Sequence, residues 1–222
     1  DLIVSRGLGD VYKRQDLSLV SMEKEIAEVC GGATTLFADF GAEVTDEIPD
    51  FTGVLEAFQT LRAVLFATMM EPILQQHRNK IAPEIIGNIE RGLNIKPSQI
   101  FEAERIRIEL FKKILLFFET HDFLICPAAS IAPFPVDQRY VTEIDGKPCE
   151  TYIDWFSITF ALTMTACPTI SVPCGFTSEG LPVGIQIMGK PRGEAALLLV
   201  AKQFEKAIGI AAQLPIAPRK GI

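Results

Sequence analysis

This 222-residue sequence has only two histidines, His77 and His121, and its five cysteines (Cys30, Cys126, Cys149, Cys167 and Cys174) contain no CxxC pair. Those absences exclude a zinc site and a disulfide framework, so no metal and no cofactor is expected. An odd number of widely spaced cysteines fits a reducing compartment, and the cytoplasm is the expected home. A basic run is also missing: 21 Lys and Arg face 28 Asp and Glu, for a net charge of −7. Binding the phosphate backbone needs a concentrated basic patch, so nucleic acid is not an expected partner. No apolar run approaches the roughly 18 residues of a membrane span. The longest candidate, ITFALTMTAC, is interrupted by threonines and stopped by Pro168. There is no GxSxG, no repeat and no low-complexity tract.

Apolar residues make up 48% of the chain and charged residues 22%, a balance that suits one soluble globular domain or two small ones. At this length roughly 70% of the unfolded surface can be buried on folding. The opening DLIVSRGLGDVYKRQ stands apart. Its end, DVYKRQ, resembles the translation of a transposon-end sequencing adapter, so residues 1–15 are expected to be a non-native scar. Residues 16–222 remain for fold reasoning. The GLG in the scar lacks the third glycine of a nucleotide-binding loop.

Apolar periodicity predicts a helix over Ser21–Phe40, with Ser21 as N-cap and Gly41 ending it. AEVTDEI reads as a short strand. Val54–His77 reads as a helix kinked or broken near Pro72, and Pro83–Arg91 as a helix stopped by Gly92. The clearest helix is Pro97–Glu119, with Ala103, Ile106, Leu110, Ile114 and Phe117 at three- and four-residue spacing. DFLICP follows as a buried strand, then a proline-containing loop to about Glu150 and a helix over Tyr152–Thr163. TISVP and VGIQIM form a hairpin across GFTSEGLP. A last helix, Gly193–Ile208, is capped by Gly209. Interleaved helices and strands give the α/β class.

The residues by themselves yield little chemistry. SMEK, from Ser21 to Lys24, matches the S-x-x-K of penicillin-recognising enzymes, but neither SDN nor KTG follows. The same four residues read equally as an N-cap and an exposed lysine. Cys167 and Cys174 flank a proline-bounded strand without a histidine nearby in sequence, although His121 could approach in space. Ser130 and Ser171 lack an identified base. Glu143, Asp145, Glu150 and Asp154 read as a solvated loop with one helix cap. Tyr152 and Trp155, placed on one side of a helix, are candidates to contact an apolar ligand.

The run YIDWFSITFALTMTACPTISVPCGFTSEGLPVGIQIMGKPRGEAALLLVAKQFEKAIG resembles the C-terminal part of amidase-signature enzymes. That family includes bacterial amidases and the A subunit of the glutamyl-tRNA(Gln) amidotransferase. FGAEVTDEIPDF resembles the family's lGaeVeev-PDF strand, and HDFLICPAASIAPFP its yDvlltPt loop. The resemblance implies a mixed sheet flanked by helices, present as the C-terminal half of a single amidase domain. It also implies hydrolysis of carboxylic amides by a Ser–cis-Ser–Lys set. Those residues belong to the half that precedes this chain, since Gly31-Gly32 leads into Ala33-Thr34-Thr35 and no GGSSGG stretch is present. No catalytic residue is therefore carried over, and the chain alone is expected to be inactive.

What the resemblance places here is part of the substrate wall: Pro127, Ala128, Tyr152 and Trp155, with Gln186 on the strand face opposite Val183, Ile185 and Ile187. The expected partner is a small-molecule amide, with a second copy of the chain as a candidate for dimerisation. Many members read N-L-x-G-x-P before the ISVP strand, where this chain reads Ala161-Leu162-Thr163-Met164-Thr165-Ala166-Cys167-Pro168. That departure leans away from a glutamine-specific amidotransferase. The alternatives are a fragment of a glutamine-dependent tRNA amidotransferase A subunit and a non-catalytic binding or structural protein.

Overall fold

The computed structural model describes residue 17 and residues 19–210; residues 1–15, set apart above, lie outside them. The elements run α1 Lys24–Asp39, α2 Val54–His77, α3 Pro83–Asn94, α4 Pro97–Thr120, β1 Phe123–Pro127, β2 Glu143–Ile144, β3 Lys147–Pro148, α5 Ser157–Thr163, β4 Thr169–Phe176, β5 Pro182–Gly189 and α6 Glu194–Ile208. The main sheet has the order β1-β5-β4, with β5 antiparallel to both neighbours. β2 and β3 form a separate small hairpin.

The sheet divides two cores, and the two-residue period of β5 decides which side chain joins which. Val183, Ile185 and Ile187 point towards α1 and α6, where they meet Ile26, Phe37, Leu197 and Phe204. Phe37 and Phe204 stack there with centroids 5.1 Å apart. On the other face, Met188 and the β1 residues Leu124 and Cys126 pack against α4, α5 and the start of α2 through Leu110, Ile114, Ile158 and Val54. Over β4 this second face is bare: Thr169, Ser171 and Pro173 are exposed. The outer edge of β4 pairs with no strand among the described residues.

α4 and α6 follow their periodicity closely. Ala103, Leu110 and Ile114 are buried, and Gly209 caps α6 in the left-handed region at φ +70°. Elsewhere the structure departs from the sequence reading. Glu23, not Ser21, occupies the N-cap position of α1, and its side chain does not cap. Instead its carboxylate accepts the Ala132 N–H at 2.7 Å, and its own N–H donates to the Ser130 carbonyl at 2.9 Å. A tertiary contact has outbid the local cap. AEVTDEI forms only an isolated bridge at Ala42, with Ala42 and Val44 packed against the core beneath α1 and α6.

α2 continues unbroken through Pro72, held by buried Ala67 before it and Leu74 after it. Gly92 does not stop α3, which runs on to Asn94. It lies where α3 crosses α2 so closely that a Cβ would sit 2.0 Å from the Ala63 carbonyl oxygen. The expected helix from Tyr152 starts only at Ser157, after a 3₁₀ turn at Asp154–Phe156. The Asp154 carboxylate accepts the N–H groups of Glu150 and Thr151 at 2.7 and 2.9 Å, folding those residues into a turn outside the helix.

Candidate functional site: an apolar groove and a polar cleft

The loop after β1 is held rigidly at four points. Ala128 N–H donates to the Gly184 carbonyl at 2.8 Å, and Ser130 N–H to the Trp155 carbonyl at 3.0 Å. Thr159 Oγ1 donates to the Ala128 carbonyl at 2.5 Å, and the Glu23 carboxylate anchors Ala132. These bonds leave a groove of about 400 Å³ between the loop, Trp155 and the start of β5. Ile26, Ala128, Ile131, Phe134, Trp155 and Val183 line it, and every other lining residue is alanine, proline or glycine. Trp155 is fixed edge-on between Phe134 (5.4 Å, 87°) and Phe156 (4.7 Å, 69°). The walls are apolar and uncharged, so the groove suits a neutral apolar group.

A second depression of about 380 Å³ lies between α2, α3 and the segment 140–152. Gln59, Glu84, Asn88, Tyr140, Glu150 and Tyr152 are among its lining residues. The Tyr152 hydroxyl accepts from Asn88 Nδ2 at 2.8 Å and from Arg62 Nη2. Gln59 Nε2 donates to Thr151 Oγ1 at 3.3 Å.

Of the five residues read from the sequence as substrate wall, Ala128 and Trp155 meet in the apolar groove. Tyr152 lies in the polar cleft, because it precedes the helix rather than sharing a helical face with Trp155. Pro127 ends β1 within the sheet, and its carbonyl accepts from Gln186 Nε2 at 3.1 Å. Gln186 is thereby spent, and only 5% exposed. Sequence reasoning missed Arg62, Asn88 and Gln59. They lie 90, 64 and 92 residues from the partners they bond, so no local pattern marks them.

A sequence model of the family described as Amidase matches residues 14–198. The chain belongs to the amidase family. It is 26% identical over 193 residues to an acylamidase of Rhodococcus erythropolis, covering 86% of this chain and 40% of that protein. Over 107 residues it is 36% identical to the A subunit of the glutamyl-tRNA(Gln) amidotransferase of Thermodesulfovibrio yellowstonii, 48% of this chain and 21% of that one. The structure of a bacterial aryl acylamidase of the amidase-signature family superposes with a TM-score of 0.80 at 23% identity, over 95% of this chain and 47% of that one. A 6-aminohexanoate cyclic dimer hydrolase does so with the same TM-score at 21% identity. At such identities the superpositions establish the fold, and the amidase-signature α/β architecture is the one read from the sequence. The chain spans about two-fifths of the length of the first of these curated relatives.

Within this amidase chain the candidate nucleophiles are disposed as follows. Lys24 is 87% exposed and pairs with Glu28 at 3.5 Å, so the lysine of SMEK opens a surface helix, while Ser21 and Met22 lie ahead of its N-cap. Ser130 is fully buried, and Ser171 is exposed on β4. The hydrogen bond between Cys30 and Cys174 (Sγ···Sγ 3.9 Å), together with burial, pushes the Cys30 thiol far up. Burial raises Cys126, Cys149 and Cys167 as well. Each of these four is therefore a thiol rather than a nucleophilic thiolate at neutral pH. His121 is buried against the Phe117 ring at 4.1 Å and lies 3.1 Å from the Phe117 carbonyl. No described lysine is buried, and no cluster of three metal-ligating side chains occurs among the described residues.

Proposed function

We propose that this chain is the C-terminal portion of an amidase that hydrolyses neutral carboxylic amides, R–CO–NH2, to acid and ammonia. In this reading a Ser–cis-Ser–Lys set lies upstream of the chain, and the chain alone is inactive. The observation that carries the substrate class is the groove between Ala128 and Trp155, whose lining holds no charged side chain. An acyl group burying about 100 Å² of apolar surface there gains about 2.5 kcal/mol. A lysine acting as a base must be held neutral by desolvation, which an exposed lysine is not. Backbone N–H groups beside the upstream nucleophile would hold the developing oxyanion, the step at which most stabilisation is due. The groove's part is to seat the acyl side of the substrate so that the carbonyl carbon presents itself to that nucleophile.

The second reading, an amidotransferase component releasing ammonia from glutamine, is supported by relatives of that name. It fits the groove less well. Glutamine brings an α-carboxylate and an α-ammonium, and burying either without a counter-charge is costly. The test is ammonia release by the full-length protein containing this chain, assayed on benzamide and on glutamine, with the 222-residue chain alone in parallel. Expected are turnover of benzamide by the full-length protein, a higher KM with Trp155→Ala, and no turnover by the chain alone. Faster turnover of glutamine than of benzamide, or ammonia release by the chain alone, overturns the proposal.

A further inference from the structure

We propose that the polar cleft beside Tyr152 is a second ligand site, one that takes a small-molecule carboxylate through the Tyr152 hydroxyl backed by the Arg62 guanidinium. A tyrosine hydroxyl has one proton to give and two lone pairs to receive. Both lone pairs are taken, one by Asn88 Nδ2 at 2.8 Å and the other by Arg62 Nη2. With two donors converging on the oxygen, the hydroxyl proton is left over, and no described residue accepts it. Tyr152 lines the cleft, so an acceptor entering there meets an unspent donor.

The charge behind that donor is also unspent. The Arg62 guanidinium lies over the rings of Phe66 and Tyr152, 4.8 and 5.3 Å from their centroids. It forms no ion pair with a described residue, and its Nη1 is buried without a hydrogen-bond partner. Cations taken out of water are ordinarily paired with an anion. Here two aromatic faces and a phenol oxygen take that place, and the positive potential reaches the cleft through the hydroxyl.

The remaining charges set the ligand's valence. Arg91 is committed to Glu56 at 2.9 Å and Glu84 to Arg139 at 2.8 Å, while Glu150 lines the cleft as an exposed carboxylate. Arg62 and Glu150, neither ion-paired to a described residue, leave the cleft near neutral, which admits a monoanion held by the hydroxyl and repels a phosphate dianion. Tyr140, tilted at 59° and 6.1 Å from Tyr152, adds an aromatic wall for the carboxylate's organic part. The cleft shares no lining residue with the apolar groove, so the site stands whether or not the amide-hydrolysis reading does.

The experiment is a ligand-observed NMR titration of the 222-residue chain with benzoate, using benzamide as the neutral isostere, at constant ionic strength. In the Trp155→Ala protein, which lacks the indole of the apolar groove, benzoate should bind about tenfold more tightly than benzamide. Tyr152→Phe, which keeps the ring and removes only the donor, should weaken benzoate about tenfold, whereas Trp155→Ala should leave it unchanged. Glu150→Gln should tighten it by removing repulsion, and it serves as the deciding variant should Tyr152→Phe fail to fold. Equal binding of the two probes by the Trp155→Ala protein overturns the proposal, as does benzoate affinity unmoved by Tyr152→Phe or by Glu150→Gln. Loss of benzoate in Trp155→Ala overturns it too, as does absence of binding up to about 10 mM.

Discussion

Replacing Gly92 by alanine places a methyl group into the crossing of α2 and α3. The new Cβ would lie 2.0 Å from the Ala63 carbonyl oxygen and 2.7 Å from Ala67 Cβ. A carbon ordinarily approaches a carbonyl oxygen no closer than about 3.3 Å, so α3 must withdraw by roughly 1 Å. A gap of that size forfeits a quarter to a half of each contact's attraction, and Ile89, which is fully buried on α3, loses most. The obstacle is helix backbone, which cannot rotate away, so the cost falls at the upper end of overpacking, about 3 kcal/mol. Alanine's better helix propensity returns about 1 kcal/mol. The net loss of about 2 kcal/mol lowers Tm by about 4–8 °C in a domain of this size. Gly87 supplies the control on the same helix: its Cβ would meet nothing within 4 Å, so Gly87→Ala gains about 1 kcal/mol and raises Tm by about 2–4 °C. Circular-dichroism melts of the three proteins decide the matter. A Gly92→Ala protein that melts at or above the wild-type temperature refutes the close crossing.

Three further outcomes are expected. Glu23→Ala removes the acceptor of the Ala132 N–H and should cost about 1–2 kcal/mol while accelerating hydrogen exchange at that amide; unchanged exchange would show that Glu23 does not hold the groove's loop. Lys113, bonded to Asp50 at 2.6 Å, and then the bonds from Thr52, hold the Asp50 carboxyl well below the usual carboxylate range. Because the folded-state value is depressed, the stabilisation is complete above the unfolded value of about 4 and is lost as pH falls through the folded one. Asp50 is 56% exposed, so screening limits the effect to under about 1 kcal/mol. The Tm difference between wild type and Asp50→Asn should thus be present at pH 7 and close below pH 4; a gap independent of pH contradicts the assignment. Finally, the open edge of β4 and the exposed Leu65, Met69, Leu116 and Leu198 should make the isolated chain bind a hydrophobic dye and self-associate. A dye-silent monomer with one sharp melt would contradict that expectation.

How much of the candidate site was legible depends on the range of the forces that shaped it. Ala128 was placed by the family resemblance rather than by a signal of its own, and Trp155 by its aromatic segment as well; the two line one groove. Tyr152 was identified but put on the wrong element, since the Asp154 carboxylate turns residues 150–151 out of the helix. The Arg62–Tyr152–Asn88 group could not be read at all, for its members lie on α2, on α3 and in the loop before α5.

Local patterning sufficed for the long helix α4, the capped helix α6, the β4–β5 hairpin and the division of β5 between two faces. Each of these follows from apolar periods of two or 3.6 residues and from glycine at a turn or cap, all of which act within a few residues. The sequence also carried the family. Packing across the chain settled the places where competing demands met. Glu23 abandoned its cap for the Ala132 amide, Gly92 served a helix crossing rather than a helix end, and Gln186 gave its amide to the Pro127 carbonyl. The physical reason is the same each time. A buried polar group must find a partner and a close contact must find room, and only the packed chain fixes which partner and which contact are within reach.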